Sequence, residues 1–184
     1  MIGTLPRSVL SGRMLSFVFV GLVVTALVAM LFYGLATKGG SAKLVALEGK
    51  PAPDFTLELY NGGSLTLSEI KGTPVLVNFW ASWCPSCRDE APGMEKVWRE
   101  YRDRGVLFIG IAVQDREADA RAFLKEFDIT YPNGPDKTNR ISVNYGLTGV
   151  PEATFVNRDG LAVHNHIGPM TPGELRTYLD EILR

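Results

Sequence analysis

The chain has 184 residues, 46% apolar and 21% charged, a composition that excludes a disordered chain and leaves room for one folded domain of ordinary size. Its formal net charge is -1, so there is no cationic surplus to neutralise a run of phosphates, which argues against nucleic acid as a partner.

The first element is a run from Met14 to Thr37, MLSFVFVGLVVTALVAMLFYGLAT, with no charged residue. As a helix it would rise roughly 36 Å, enough to span a bilayer. A cleaved secretory signal is the rival reading, with Gly34-Leu35-Ala36 as a small-residue cleavage site, but the apolar part of such signals is only ~7–15 residues long. The expectation is an uncleaved transmembrane signal-anchor over residues 14–37, after a cytoplasmic N-terminus at 1–13. Arg7 and Arg13 precede the span while Lys38, Lys43 and Lys50 follow it, so the positive-inside rule leaves the orientation open.

Residues 38–53 mix Gly, Ser, Lys and Pro without a period and read as a tether, with a folded domain over 54–184. Asn61-Gly62-Gly63 between FTLELY and SLTL predicts a hairpin from Phe55 to Leu67. PVLVNFW and VLFIGIAV are near-continuous apolar runs suited to strands covered on both faces. Between them, Pro85 to Asp103 has helical spacing at Met94, Val97, Trp98 and Tyr101, ended by Gly105 and kinked by Pro92. READARAFLKEFD predicts a second helix and NRISVNYG a short one. ATFVNRDGLAVHNHIG predicts a hairpin about Arg158-Asp159-Gly160, and TPGELRTYLDEILR a last helix capped by Thr171. This order gives an α/β fold, a mixed sheet with helices on both faces, whose chemistry belongs at the carboxyl end of the first core strand.

At that end stand the only two cysteines, Cys84 and Cys87. A structural zinc site needs four ligands, and the chain offers no second cysteine pair, only His164 and His166 on one strand face. A disulfide closing so small a loop restricts the unfolded chain little, so a stabilising staple is no better. The spacing instead puts Cys84 at a helix N-terminus, as cap before Pro85, with Cys87 one turn in on the same face. A helix N-terminus favours thiolate, and cysteines in such motifs have pKa values of about 3.5–7.5. Cys84 is therefore the expected nucleophile and the more exposed sulfur, and Cys87 the thiol that resolves the mixed disulfide.

Several segments together resemble the thioredoxin superfamily, in particular the membrane-anchored extracytoplasmic CcmG/DsbE branch of cytochrome c maturation, close to TlpA and ResA. They are Lys50-Pro51-Ala52-Pro53-Asp54-Phe55, Phe79-Trp80-Ala81-Ser82-Trp83-Cys84-Pro85-Ser86-Cys87, Glu90 and YGLTGVPEATFV. The resemblance covers about Gly49 to Arg184 and implies a thioredoxin-like fold with an N-terminal hairpin extension. It implies a cis-proline at Pro151 facing the cysteines and a substrate-binding face formed by Trp83, Pro85, Val150 and Pro151. Asn78 stands where cytoplasmic thioredoxin has a buried aspartate, so another acid must take the proton of Cys87, and the branch has acids at Glu90 and Glu152. Surface roles for either acid, and a core role for Trp80, compete with these readings.

The resemblance further implies a thiol-disulfide oxidoreductase acting as a disulfide reductase, with no cofactor beyond a redox-active Cys84–Cys87 disulfide and no metal. Its single-pass anchor would lie in the bacterial inner membrane with the redox domain on the periplasmic side. Its expected partners are apocytochrome c or a cytochrome c maturation thiol protein as substrate, and a membrane electron donor of the DsbD/CcdA type. A general TlpA/ResA-like extracytoplasmic reductase is the near alternative. A peroxidase is opposed by Ala81, where peroxiredoxins carry Thr or Ser three positions before their cysteine. A copper-delivering module would use Cys84, Cys87 and a histidine as soft ligands.

Overall fold

The computed structural model describes residues 12–37 and 47–184, so the N-terminal eleven residues and most of the expected tether lie outside the described residues. The chain divides into two units, 1–43 and 44–184. Within the first, helix α1 covers Gly12–Thr37. Its side chains are described at 16–30, 32 and 33, where all are exposed. Among the described residues no helix is long and apolar enough to cross a membrane.

The second unit is built on a six-stranded sheet in the order β1-β8-β7-β4-β5-β6. The strands are β1 (Lys50–Pro51), β4 (Val75–Trp80), β5 (Leu107–Ala112), β6 (Asn133–Pro135), β7 (Glu152–Val156) and β8 (Leu161–Ile167). A separate antiparallel hairpin pairs β2 (Thr56–Glu58) with β3 (Ser64–Thr66), where the glycine-rich turn predicts it. The helices are α2 (Pro85–Tyr101), α3 (Glu117–Glu126), the short α4 (Arg140–Asn144) and α5 (Pro172–Ile182). Strands β4, β5 and β6 run parallel, while β7 is antiparallel to both β4 and β8.

Every residue of β4 is buried, because the strand is central and covered on both faces. Its side chains alternate: Val75, Val77 and Phe79 enter one core with Ile109, Ile111, Phe55 and Tyr145. Leu76 enters the opposite core with Phe108, Phe155 and the inward faces of α2 and α5. Trp80, on that same side, packs with Cys84, Cys87 and α3, stacking on Phe123 at 4.4 Å. Helix α5 starts as its sequence predicts, with Thr171 and Glu174 in a reciprocal capping box.

Two expectations need correction. Residues 47–53, read as tether, belong to the folded unit: Leu47 is buried, β1 pairs with β8, and the Ala52 N–H donates to the Gly160 carbonyl. Strand β6 has no counterpart in the sequence reading, because Asn133-Gly134-Pro135 has neither apolar character nor β propensity. Tertiary contacts make it a strand. The Asn133 carboxamide oxygen accepts from the Trp80 indole at 2.8 Å, and Gly110 leaves the room, since a Cβ there would lie 1.7 Å from that oxygen.

Candidate active site

The connection from β4 to α2 carries both cysteines. Cys84 is the N-cap of α2, with an extended backbone, and Pro85 occupies the first turn, where its missing N–H costs nothing. The Cys84 Sγ accepts a hydrogen bond from the Cys87 N–H at 3.3 Å, so the sulfur itself serves as the cap. A thiolate formed there is met by a backbone donor and the positive end of the helix dipole. Ser86 Oγ lies 3.4 Å from the same sulfur.

Both cysteines are free thiols, and both are buried. Cys84 is 3% exposed against 1% for Cys87, so the expected nucleophile is the more exposed sulfur yet is itself buried. The cause is the loop opposite. The Val150–Pro151 peptide bond is cis, as the resemblance implies, and the Cys84 thiol donates to the Val150 carbonyl at 3.4 Å. A substrate sulfur reaches Cys84 only by taking the place of that contact. Cys87 lies deeper, and its thiol is pushed far above its ordinary value, first by burial and then by its hydrogen bond with Cys84. It therefore needs a proton acceptor before it can attack.

The two candidate acids sit differently. Glu90 is half-buried on α2, its Oε2 accepts from the Met170 N–H at 3.1 Å, and burial raises its pKa to about 7. It lies one helical turn beyond Cys87, and its charge contributes to the upward push on that thiol. Glu152 is 3% exposed, and its Oε1 accepts from the Thr148 N–H at 2.8 Å, the Gly149 N–H at 3.1 Å and the Thr148 hydroxyl. The carboxylate thus staples the loop ahead of Pro151. That geometry gives Oε1 of Glu152 the part of a brace for the loop.

Trp83 is 59% exposed, and its indole N–H donates to the Gln114 carbonyl at 3.1 Å. Beside it runs a groove of about 280 Å³ bounded by Gln114, Val143, Leu147, Gly149 and Val150, with no charged residue in its lining. Pro85 is exposed at the same edge, whereas Pro151 is buried beneath it. Trp80 is 2% exposed and belongs to the core.

Sequence reasoning missed the brace behind this edge. Asp115, just beyond β5, accepts from the Ser82 N–H at 2.5 Å and from the Ser82 hydroxyl at 2.7 Å. The neighbouring Gln114 holds a left-handed φ of 48°, unusual outside glycine, so two consecutive residues of the β5–α3 loop fix two consecutive residues ahead of Cys84. Only the position after a core strand hints at this in the sequence.

The histidines are elsewhere. His164 stacks on Tyr178 of α5 with centroids 3.9 Å apart, and His166 meets the Pro169 carbonyl at 3.3 Å. Among the described residues no group of three or more His, Cys, Asp and Glu is placed to hold a metal ion.

A mixed sheet, a dithiol capping a helix and a cis-proline loop against the first sulfur define a thioredoxin-like redox domain. The comparisons with known proteins agree. The chain belongs to the AhpC/TSA family, whose model matches residues 48–164. It is 37% identical to the thioredoxin-like protein YneN of Bacillus subtilis, over 72% of this chain and 79% of the relative. It is 32% identical to the thiol-disulfide oxidoreductase ResA of Bacillus cereus, over 73% and 78%. Among solved structures, a thioredoxin-family thiol:disulfide interchange protein from Chlorobium tepidum TLS superposes with a TM-score of 0.68 at 28% identity, over 73% of this chain and 96% of that one.

Proposed function

We propose that the protein is a thiol-disulfide oxidoreductase that reduces protein disulfides from a membrane anchor on the extracytoplasmic side. One observation carries the reaction: the Cys84 sulfur lies between the α2 amide of Cys87 and the Val150 carbonyl. Cys84 attacks a substrate disulfide to give a mixed disulfide and a released substrate thiolate. Cys87, after losing its proton, attacks the Cys84 sulfur, which closes the Cys84–Cys87 disulfide and releases the second substrate thiolate. Two protein thiols are oxidised and one substrate disulfide is reduced.

Anchoring is argued from the sequence alone, on the uncharged run at 14–37. Reduction is the direction that the resemblance to the cytochrome c maturation branch implies, and an oxidising compartment needs a dedicated reductant for this task. The proposed substrates are disulfides of apocytochrome c or of a cytochrome c maturation thiol protein, and the proposed electron donor is a membrane protein of the DsbD/CcdA type. A general reductase of secreted proteins is the alternative that the YneN and ResA matches favour. The uncharged groove beside Trp83 suits an unfolded segment with an apolar side chain near its cysteine. Peroxidase chemistry is not favoured, because the residue three positions before Cys84 is Ala81, fully buried and without a hydroxyl.

The equilibrium potential of the Cys84–Cys87 couple in the full chain tests the direction. A value at or below about -180 mV supports a reductant, while one near about -120 mV makes the protein an oxidant. Exchange with a reduction-sensitive peptide containing the two cysteines of an apocytochrome, compared with an unrelated disulfide, tests the substrate. Equal rates for both would replace the cytochrome reading with the general one.

A further inference from the structure

Left-handed backbone is uncommon outside glycine, and where it persists the surrounding structure must offset its cost. Among the described residues three others hold it: Gln114 at φ 48°, Asp128 at 51° and Asn139 at 56°. Asp128 has a structural reason, since its carboxylate and its carbonyl both accept from Arg99, at 2.8 and 3.3 Å. Gln114 and Asn139 have no such tie. Gln114 follows β5 and Asn139 follows β6, so they stand on neighbouring loops at the carboxyl ends of two paired parallel strands.

Both side chains are left unused by the fold. An asparagine before a helix ordinarily caps it, yet Asn139 makes no side-chain cap, and the Ile141 and Ser142 N–H groups go to Asp136 at 3.4 and 2.8 Å. Gln114 gives its carbonyl to Trp83, not its carboxamide. Among the described residues neither carboxamide has a hydrogen-bond partner, and both residues are exposed.

Their placement gives the free amides a use. Both border the uncharged groove beside Trp83 and Val150, and both border a second hollow of about 300 Å³ that Asp115, Glu117 and Lys137 also line. They are the pair shared by the two linings, so a chain passing from one hollow to the other crosses them. The groove is continuous with the reacting sulfur, because Val150 lines it and accepts from the Cys84 thiol. A carboxamide carries both an acceptor oxygen and N–H donors, the complement of a peptide unit.

We propose that Gln114 and Asn139 bind the main chain of an extended polypeptide where it leaves the groove, which makes an unfolded segment, and not a small disulfide, the preferred substrate of Cys84. This deepens the reading of the protein as a disulfide reductase and rests on it. The side chain beside the substrate cysteine occupies the groove, and further along, the main chain pairs with the two carboxamides as it would with a strand edge. Glycine at either position would meet the backbone geometry with less strain and would lose the amide.

The test uses the reduced full chain in detergent and an unstructured peptide disulfide in excess, with copies in which one backbone amide at a time beyond the cysteine is replaced by an ester. Loss of free thiol in a single turnover gives the half-saturating peptide concentration. In the parent, an ester at one or two positions should raise that concentration about tenfold. Gln114→Gly and Asn139→Gly should each raise it about tenfold for the all-amide peptide and erase the ester effect, while urea denaturation shows a chain at least as stable as the parent. Gln114→Ala removes the same carboxamide without loosening the loop and should give the same shift. Parent values for the all-amide peptide in all three variants, or ester effects that persist in them, would overturn the clamp. Exchange that survives in Cys84→Ser would instead remove the disulfide-exchange reading beneath it.

Discussion

Ser82 gives both its backbone N–H and its hydroxyl to the two oxygens of Asp115, so the residue two before the nucleophile is clamped by a single carboxylate. Hydrogen bonds to a charged acceptor contribute about 1.5–3 kcal/mol, and losing both leaves a partly buried amide without its partner. Asp115→Ala is expected to lower unfolding free energy by about 2–3 kcal/mol, measured by urea denaturation. It should also slow the attack of Cys84 on a small disulfide, because the loop that aims the sulfur is released. Asp115→Asn keeps one acceptor oxygen, so its loss should fall between the two. Equal first-step rates in all three proteins would show that the brace serves stability alone.

Glu90 ties stability to pH with an unusual sign. Burial raises its pKa in the folded chain to about 7 from an ordinary 4.5. Between those values the folded state holds more protons than the unfolded one, so stability is greatest below about pH 4.5 and falls as pH rises towards 7. A half-buried carboxyl shifted this far contributes about 2–3 kcal/mol to that fall. Denaturation midpoints of Glu90→Gln should therefore lose the decline across this window and exceed the parent at pH 8. The resolution step has the opposite slope, because Glu90 accepts a proton only as carboxylate, and its rate should rise through about pH 7.

Glu152 separates a brace from a base. With three donors on its Oε1, it holds the Thr148–Gly149 turn that presents Val150 to Cys84. Glu152→Gln retains an acceptor oxygen and should leave the pH profile of resolution in place, with at most about 1–2 kcal/mol lost in unfolding. Glu152→Ala should cost about 2–3 kcal/mol and weaken peptide reduction, because three donors of the Thr148–Gly149 turn lose their partner at once. A shifted pH profile in the glutamine variant would return Glu152 to the role of proton acceptor.

The elements that the sequence announces most clearly are those whose signals are local. The apolar run of β4, the Cys84-Pro85 helix start, the glycine turn after Tyr60 and the Thr171 cap each depend on neighbours within a few residues. What stays hidden is set by contacts distant in sequence. Asn133 becomes part of a strand because Trp80, 53 residues earlier, binds its side chain. Lys50 and Pro51 join the sheet only because β8 offers an edge. The burial of Cys84 goes with a carbonyl 66 residues away, and the two acids differ in partner because one faces the Thr148 turn and the other the Met170 amide. Helical spacing alone brings Glu90 near Cys87, whereas no period in the chain says what Glu152 would bind.

Val143 and Trp83, 71% and 59% exposed, are two of the three large hydrophobic side chains left open on the described part of the folded unit, and both border the groove beside Val150. An uncharged groove discriminates through what it fails to pair: a charged side chain entering it loses water and gains no partner. Val143→Lys places an ammonium at its wall. For a peptide disulfide with leucine beside the cysteine, KM is expected to rise about tenfold, which corresponds to about 1.4 kcal/mol of binding. For the matched peptide with glutamate in that place, KM should fall relative to the parent, and the difference should shrink as salt is raised. Because the lysine lies away from both sulfurs, the effect belongs in KM and not in kcat. Steady-state reduction of the two peptides by parent and variant decides the matter: identical KM ratios would mean that substrates bypass this groove and approach Cys84 from the Ile167 side of the cis-proline loop.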